Sequence, residues 1–127
     1  MKKVLLLFIA GHGYGHLSRM RHVIQEFEQQ SQGAYSVLVA GDFDQAFFSS
    51  FEFLQTRLVR IAHDVGLVQP DSLSIDYKTT LARLKSVYSQ KEELFQKVIC
   101  EVGNASVAVV LSDKSSMGLE LAYRLNV

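Results

Sequence analysis

The sequence has one cysteine, Cys100, and one proline, Pro70. A single thiol excludes an internal disulfide framework and fits a reducing, cytoplasmic setting. A surplus of either charge is also missing, because 13 Lys and Arg offset 13 Asp and Glu. With no basic excess to neutralise phosphates, nucleic acid and anionic membrane surfaces are not expected as partners. No segment reaches the roughly 20 apolar residues of a transmembrane helix. Residues 1–10 imitate a secretory leader, but the apolar run is short and no A-x-A-like site follows it. What is present is ordinary for a globular domain: 127 residues, 48% hydrophobic and 20% charged, enough for one modest core.

Residues 3–10 are continuously apolar after Lys3, as in a strand covered on both faces. Leu17, Met20, Ile24 and Phe27 then recur at three- and four-residue spacings, with Gln25, Glu26, Glu28, Gln29 and Gln30 mostly on the other face. This predicts an amphipathic helix, ended near Gly33 by a left-handed cap. A second strand is read over 35–40, a short helix over 44–54 carrying Phe47, Phe48 and Phe51, and a third strand over 57–62. Residues 75–102 carry the longest helical pattern, with Tyr77, Leu81, Leu84, Tyr88, Phe95, Ile99 and Val102 near one face and Cys100 on the buried side. A fourth strand over 106–111 and a helix over 115–125 follow. The order β-α-β-α-β-α-β-α predicts an α/β, Rossmann-like parallel sheet of about four strands, helices on both faces, in a single domain spanning 1–127.

Gly11-His12-Gly13-Tyr14-Gly15-His16 lies between the first strand and the first helix. Backbone N–H groups at a helix start are unpaired and favour negative charge, and glycines let a ligand approach. The dinucleotide fingerprint fails because its last glycine position holds His16, and no lysine makes a Walker loop. His12 and His16 have zinc-helix spacing, but His12 sits among glycines and Gly13 replaces the usual glutamate, so no metal is expected. His16 at a helix start is suited to general-base work near neutral pH. The alternative reading is that both histidines are loop residues without a catalytic role.

Gly13-Tyr14-Gly15-His16-Leu17-Ser18-Arg19 resembles the G-x-G-H-x-x-R loop of GT-B glycosyltransferase-like proteins. These include the undecaprenyl-linked N-acetylglucosaminyltransferase group and nucleotide-sugar hydrolases of the pseudaminic acid pathway. The segment 111–113 followed by 119–127 resembles a second family feature, a strand, an aspartate, a short loop and a helix. The resemblance covers the chain as an N-terminal half. It implies an acceptor-side domain of a nucleotide-sugar-dependent glycosyltransferase, with the donor held mainly by a separate C-terminal domain and no cofactor. The family's histidine carries over to His16, its glycines to Gly13 and Gly15, and its arginine to Arg19.

Around His16, the residues expected to bind substrate are Gly11, His12, Gly13, Tyr14, Gly15, Arg19, His63 and Asp113. Arg19 is placed to pair with a phosphate or with a carboxylate such as Asp113, or else is solvated. Asp113 ends the fourth strand at the ligand edge, either orienting His16 or capping the next helix, the cap being favoured. His63 follows the third strand at the same edge. Ser115 and Ser116 read as helix-start residues. The expected partners are a nucleotide-sugar donor and a hydroxyl acceptor. A hydrolase of the same fold and a catalytically inert or truncated interaction domain are the competing readings. The last helix stops at Asn126-Val127 with no strand after it, which reads either as a small domain closed by a helix or as the first part of a longer protein; the resemblance implies the N-terminal half of a two-domain GT-B protein.

Overall fold

The apolar run near the N-terminus becomes the centre of a sheet. The computed structural model describes residues 2–127. In chain order it contains β1 (Lys3–Ile9), α1 (Gly15–Ser31), β2 (Tyr35–Gly41), α2 (Gln45–Ser49), β3 (Thr56–Arg60), α3 (Tyr77–Ser89), α4 (Lys91–Val102), β4 (Ser106–Asp113) and α5 (Ser116–Leu125). The four strands are all parallel and ordered β3-β2-β1-β4. Every residue of β1 after Lys3 is buried, because helices cover both faces of a parallel sheet.

Successive side chains of a strand point to opposite faces, and the core divides accordingly. Leu5, Leu7, Ile9, Val37 and Val39 pack with Leu17 and Ile24 of α1 and with Phe43 and Phe48. Leu6, Phe8, Leu38 and Val59 pack on the other side with Phe95 and Val98 of α4 and Met117 and Leu121 of α5. The α/β, Rossmann-like parallel sheet read from the alternation is therefore present.

Several local expectations are corrected. The helix read over 75–102 is two helices, joined at Gln90, which leaves helical geometry at φ −97°, ψ 6°. The α4 half of the apolar stripe enters the core, but α3 buries no residue, and Tyr77, Leu81, Leu84 and Tyr88 are exposed. Cys100 is exposed rather than core, since it lies about 200° round α4 from Val98. The helix read over 44–54 stops at Ser49, and Glu52 adopts a left-handed φ of 54°. Gln32, not Gly33, caps α1, with both residues at positive φ.

Glu28, assigned above to the polar face of α1, is buried. Its carboxylate accepts hydrogen bonds from Leu54 N (3.1 Å), Gln55 N (2.7 Å) and Thr56 Oγ1 (2.5 Å). It thus ties α1 to the entrance of β3. Charged acceptors of this kind are buried where several donors satisfy them.

Candidate functional site

The chain leaves β1 towards β2 on one side, while β4 returns on the other. The strand order therefore reverses between β1 and β4. In open α/β sheets the crevice outside the carboxyl ends at such a point is where ligands bind. The loop after β1 lies there. Gly13 takes φ +84°, a left-handed value that favours glycine. A Cβ at Gly15 would meet no atom within 4 Å, so internal packing does not require glycine at that position.

Asp113 stands opposite Ile9 in the β1–β4 register, and its carbonyl accepts Ala10 N–H at 3.2 Å. That pairing brings the end of β4 beside the start of α1. His16, in the first turn of α1, has Nδ1 2.9 Å from Asp113 Oδ2. A carboxylate only accepts, so Nδ1 carries the proton and Nε2 is left as the basic nitrogen. The two side chains are only 15% and 21% exposed. Arg19, one turn on, has a guanidinium nitrogen 3.0 Å from the same Nδ1. Asp113 and Arg19 compete for this one nitrogen, and in the tautomer that donates to Asp113 Arg19 contributes positive charge beside the pair. Asp113 thus contacts His16 and does not provide the side-chain cap of α5. The cap of α5 is Ser115, whose Oγ accepts Gly118 N–H at 3.3 Å.

A second imidazole–carboxylate pair lies alongside. His12 Nδ1 bonds Asp64 Oδ2, while Asp64 Oδ1 accepts Gly11 N–H at 3.0 Å. Gly66 closes on the same ring, for a Cβ there would lie 3.0 Å from His12 Cβ. The His12 and His16 rings meet edge to face, centroids 5.4 Å apart. Neither Asp64 nor Gly66 was singled out in the sequence. The available signal was a carboxylate and a glycine immediately after the third strand, at the edge already holding two histidines.

Tyr14 packs its ring on Phe47, with centroids 4.1 Å apart. It has no side-chain cap bond to α1, whereas Asp44, Asp76 and Ser115 cap α2, α3 and α5. The first N–H groups of α1 therefore have no side-chain acceptor from Tyr14.

His63, also expected to bind substrate, lines none of the hollows at this edge. Its side chain is fully buried beneath the loop. Nε2–H is shared between Ile9 O (2.9 Å) and Ala40 O (3.0 Å), and Nδ1 accepts the Ser115 hydroxyl at 2.8 Å. Direct ligand contact by His63 is corrected to a structural clamp joining β1, β2 and α5. Burial pushes its pKa below the usual 6.5, outweighing the nearby Asp64 charge that raises it. Ser115, His63 and Asp64 superficially resemble a nucleophile triad. Ser115 and Asp64 instead approach the same nitrogen, Asp64 at 3.9 Å, and both Ser115 and His63 are buried. Among the described residues no group of three or more His, Cys, Asp or Glu is arranged to hold a metal ion, and no helix is long and apolar enough to cross a membrane.

In comparisons with known proteins, the chain is 23% identical over 111 residues to L-arabinokinase of Arabidopsis thaliana. The match covers 87% of this chain and 10% of the plant protein, so the chain spans about a tenth of the length of that curated relative. No protein-family model matches the chain, and no solved structure matches it.

Proposed function

We propose that the chain is the acceptor-side domain of a GT-B glycosyltransferase that uses a nucleotide-sugar donor, the donor being held by a separate C-terminal domain. The observation that carries this reading is the His16–Asp113 pair at the crevice between β1 and β4. Similarity to a protein named for action on a sugar supports sugar chemistry over dinucleotide binding.

In this reading an acceptor hydroxyl donates its proton to His16 Nε2 as its oxygen attacks the donor's anomeric carbon. The anomeric C–O bond to the nucleoside diphosphate breaks, and the leaving group departs with the bonding pair. Asp113 holds the imidazole in the tautomer that makes Nε2 basic, and stabilises the imidazolium that forms. Arg19 and the N–H groups at the start of α1 offer positive potential to phosphate oxygens.

Long-range 1H–15N spectra of the imidazoles test this directly as methyl glycosides and UDP- or GDP-sugars are added. The His16 Nε2 resonance is expected to move with hydroxyl-bearing sugars. In an assembly with a donor domain, His16→Gln is expected to lower kcat about a hundredfold or more, the usual worth of a general base. A ring indifferent to every sugar, or turnover unchanged by His16→Gln, overturns the proposal. Free sugar released equally well without an acceptor identifies a hydrolase and overturns transfer.

A further inference from the structure

The His12–Asp64 pair is not used by the reaction proposed for His16, yet it forms a wall of a cavity. A hollow of about 450 Å³ opens between the 62–67 loop and α3, with His12, Asp64, Arg83 and Ser86 in its lining. A neighbouring hollow of about 580 Å³ shares His12, Asp64 and the 65–67 segment with it, and adds Lys114. The two adjoin along these shared residues, a groove with Arg83 lining its first hollow and Lys114 its second.

The charges in this groove are unevenly matched. Asp42, which also lines the first hollow, is paired with Arg60 at 2.9 Å. Both oxygens of Asp64 are engaged, by Gly11 N–H and by His12. Arg83 and Lys114 are exposed and form no salt bridge among the described residues. Arg83 acts on Asp76 only as the weakest influence on that carboxylate. Asp42 is thus neutralised by Arg60, and Asp64, though still charged, has both oxygens occupied, while two cations face open space. Between them His12 is fixed by Asp64 on one nitrogen and backed by Gly66. Nδ1 donates to a carboxylate, so Nε2 accepts, which suits a sugar hydroxyl.

We propose that this groove binds a sugar carrying an anionic group, a phosphate ester or a carboxylate. Arg83 and Lys114 take the charge, and the His12–Asp64 pair takes a hydroxyl. The inference rests on the acceptor-side reading and names the acceptor's chemical class. Calorimetric titration at low ionic strength with glucose 6-phosphate, glucuronate, glucose and inorganic phosphate tests it. One of the two anionic sugars is expected to bind at least about tenfold more tightly than glucose, and more tightly than inorganic phosphate. Which of the two binds better identifies the anion. Arg83→Gln with Lys114→Gln is expected to remove that advantage while glucose affinity stays the same, and His12→Gln to weaken all three sugars. Equal binding of glucose and both anionic sugars, phosphate binding as tightly as the anionic sugars, or affinity indifferent to the double substitution overturns the groove. The His16 test fails separately. Transfer that needs His16 while acceptor affinity ignores Arg83 and Lys114 rejects the groove alone; anionic-sugar binding with a catalytically irrelevant His16 rejects the transferase alone.

Discussion

His63 shows what one buried side chain does for the ends of three elements. Its neutral ring satisfies two strand-end carbonyls and the hydroxyl that caps α5. A protonated ring has no lone pair for Ser115, so burial and bonding both oppose the charge. Its folded pKa lies below 6.5, and the unfolded chain therefore binds the proton more readily. The resulting stability is complete above pH 6.5 and declines as pH falls below it towards the folded pKa, by at most about 1.4 kcal/mol per pH unit. His63→Gln, which can still donate to a carbonyl, is expected to fold but to lose about 1–3 kcal/mol at pH 7 in urea melts. The decline attributable to this ring below pH 6.5 should vanish with it. An unaltered pH slope in the variant would contradict the assignment. At this scale one contact of the candidate site was legible: His16 and Asp113 were both named from sequence, and they lie 2.9 Å apart. His63 was misplaced because proximity to a sheet edge in sequence does not say whether a side chain turns towards solvent or back under the loop. Asp64 was overlooked because its partner, His12, is 52 residues away, a pairing that only the strand order creates.

At the scale of elements, local pattern and topology carry different information. Short apolar runs and the turn residues that bound them place the four strands to within about two residues, because strands of a parallel sheet are covered on both faces. The same reasoning finds an apolar stripe on residues 75–102 but not what covers it. The α4 part of the stripe meets β1 and β2 side chains, whereas the α3 part protrudes with its large residues exposed. Local bonds and the half-buried Val87, rather than a fully buried face, therefore hold α3. Asp76 caps its start by accepting Thr79 N–H at 2.9 Å, and the Thr79 hydrogen bonds lower the Asp76 pKa. Helices held mainly by caps open more readily than helices packed on a sheet. Native-state hydrogen exchange is expected to show α3 amides with protection about tenfold or more below those of α4, in a separate opening event. Equal protection in the two helices would mean that α3 and α4 unfold as one unit despite the break at Gln90.

For the whole molecule, the arrangement of layers decides solubility as well as the position of the crevice. β4 is an edge strand, and its Val109 and Leu111 remain 41% and 40% exposed. α1 and α5 cover the faces centred on β1 and leave these two side chains partly bare, while Leu119 and Tyr123 of α5 point outward at 67% and 86% exposure. Unpaired strand edges with apolar neighbours are sites of association, and charge offers little opposition. The chain has a formal net charge of zero and a sequence pI near 6.9, so long-range repulsion is weakest close to neutral pH. Self-association is therefore expected to be greatest near pH 7 and to fall on moving about two units away, as measured by sedimentation velocity over a concentration series. The variant carrying Val109→Lys and Leu111→Lys changes partly exposed positions and adds two charges at the edge. It is expected to sediment as a monomer at pH 7 and to melt within a few degrees of the parent. If the parent is itself monomeric throughout, or the double variant associates as strongly, the edge of β4 is not the adhesive surface.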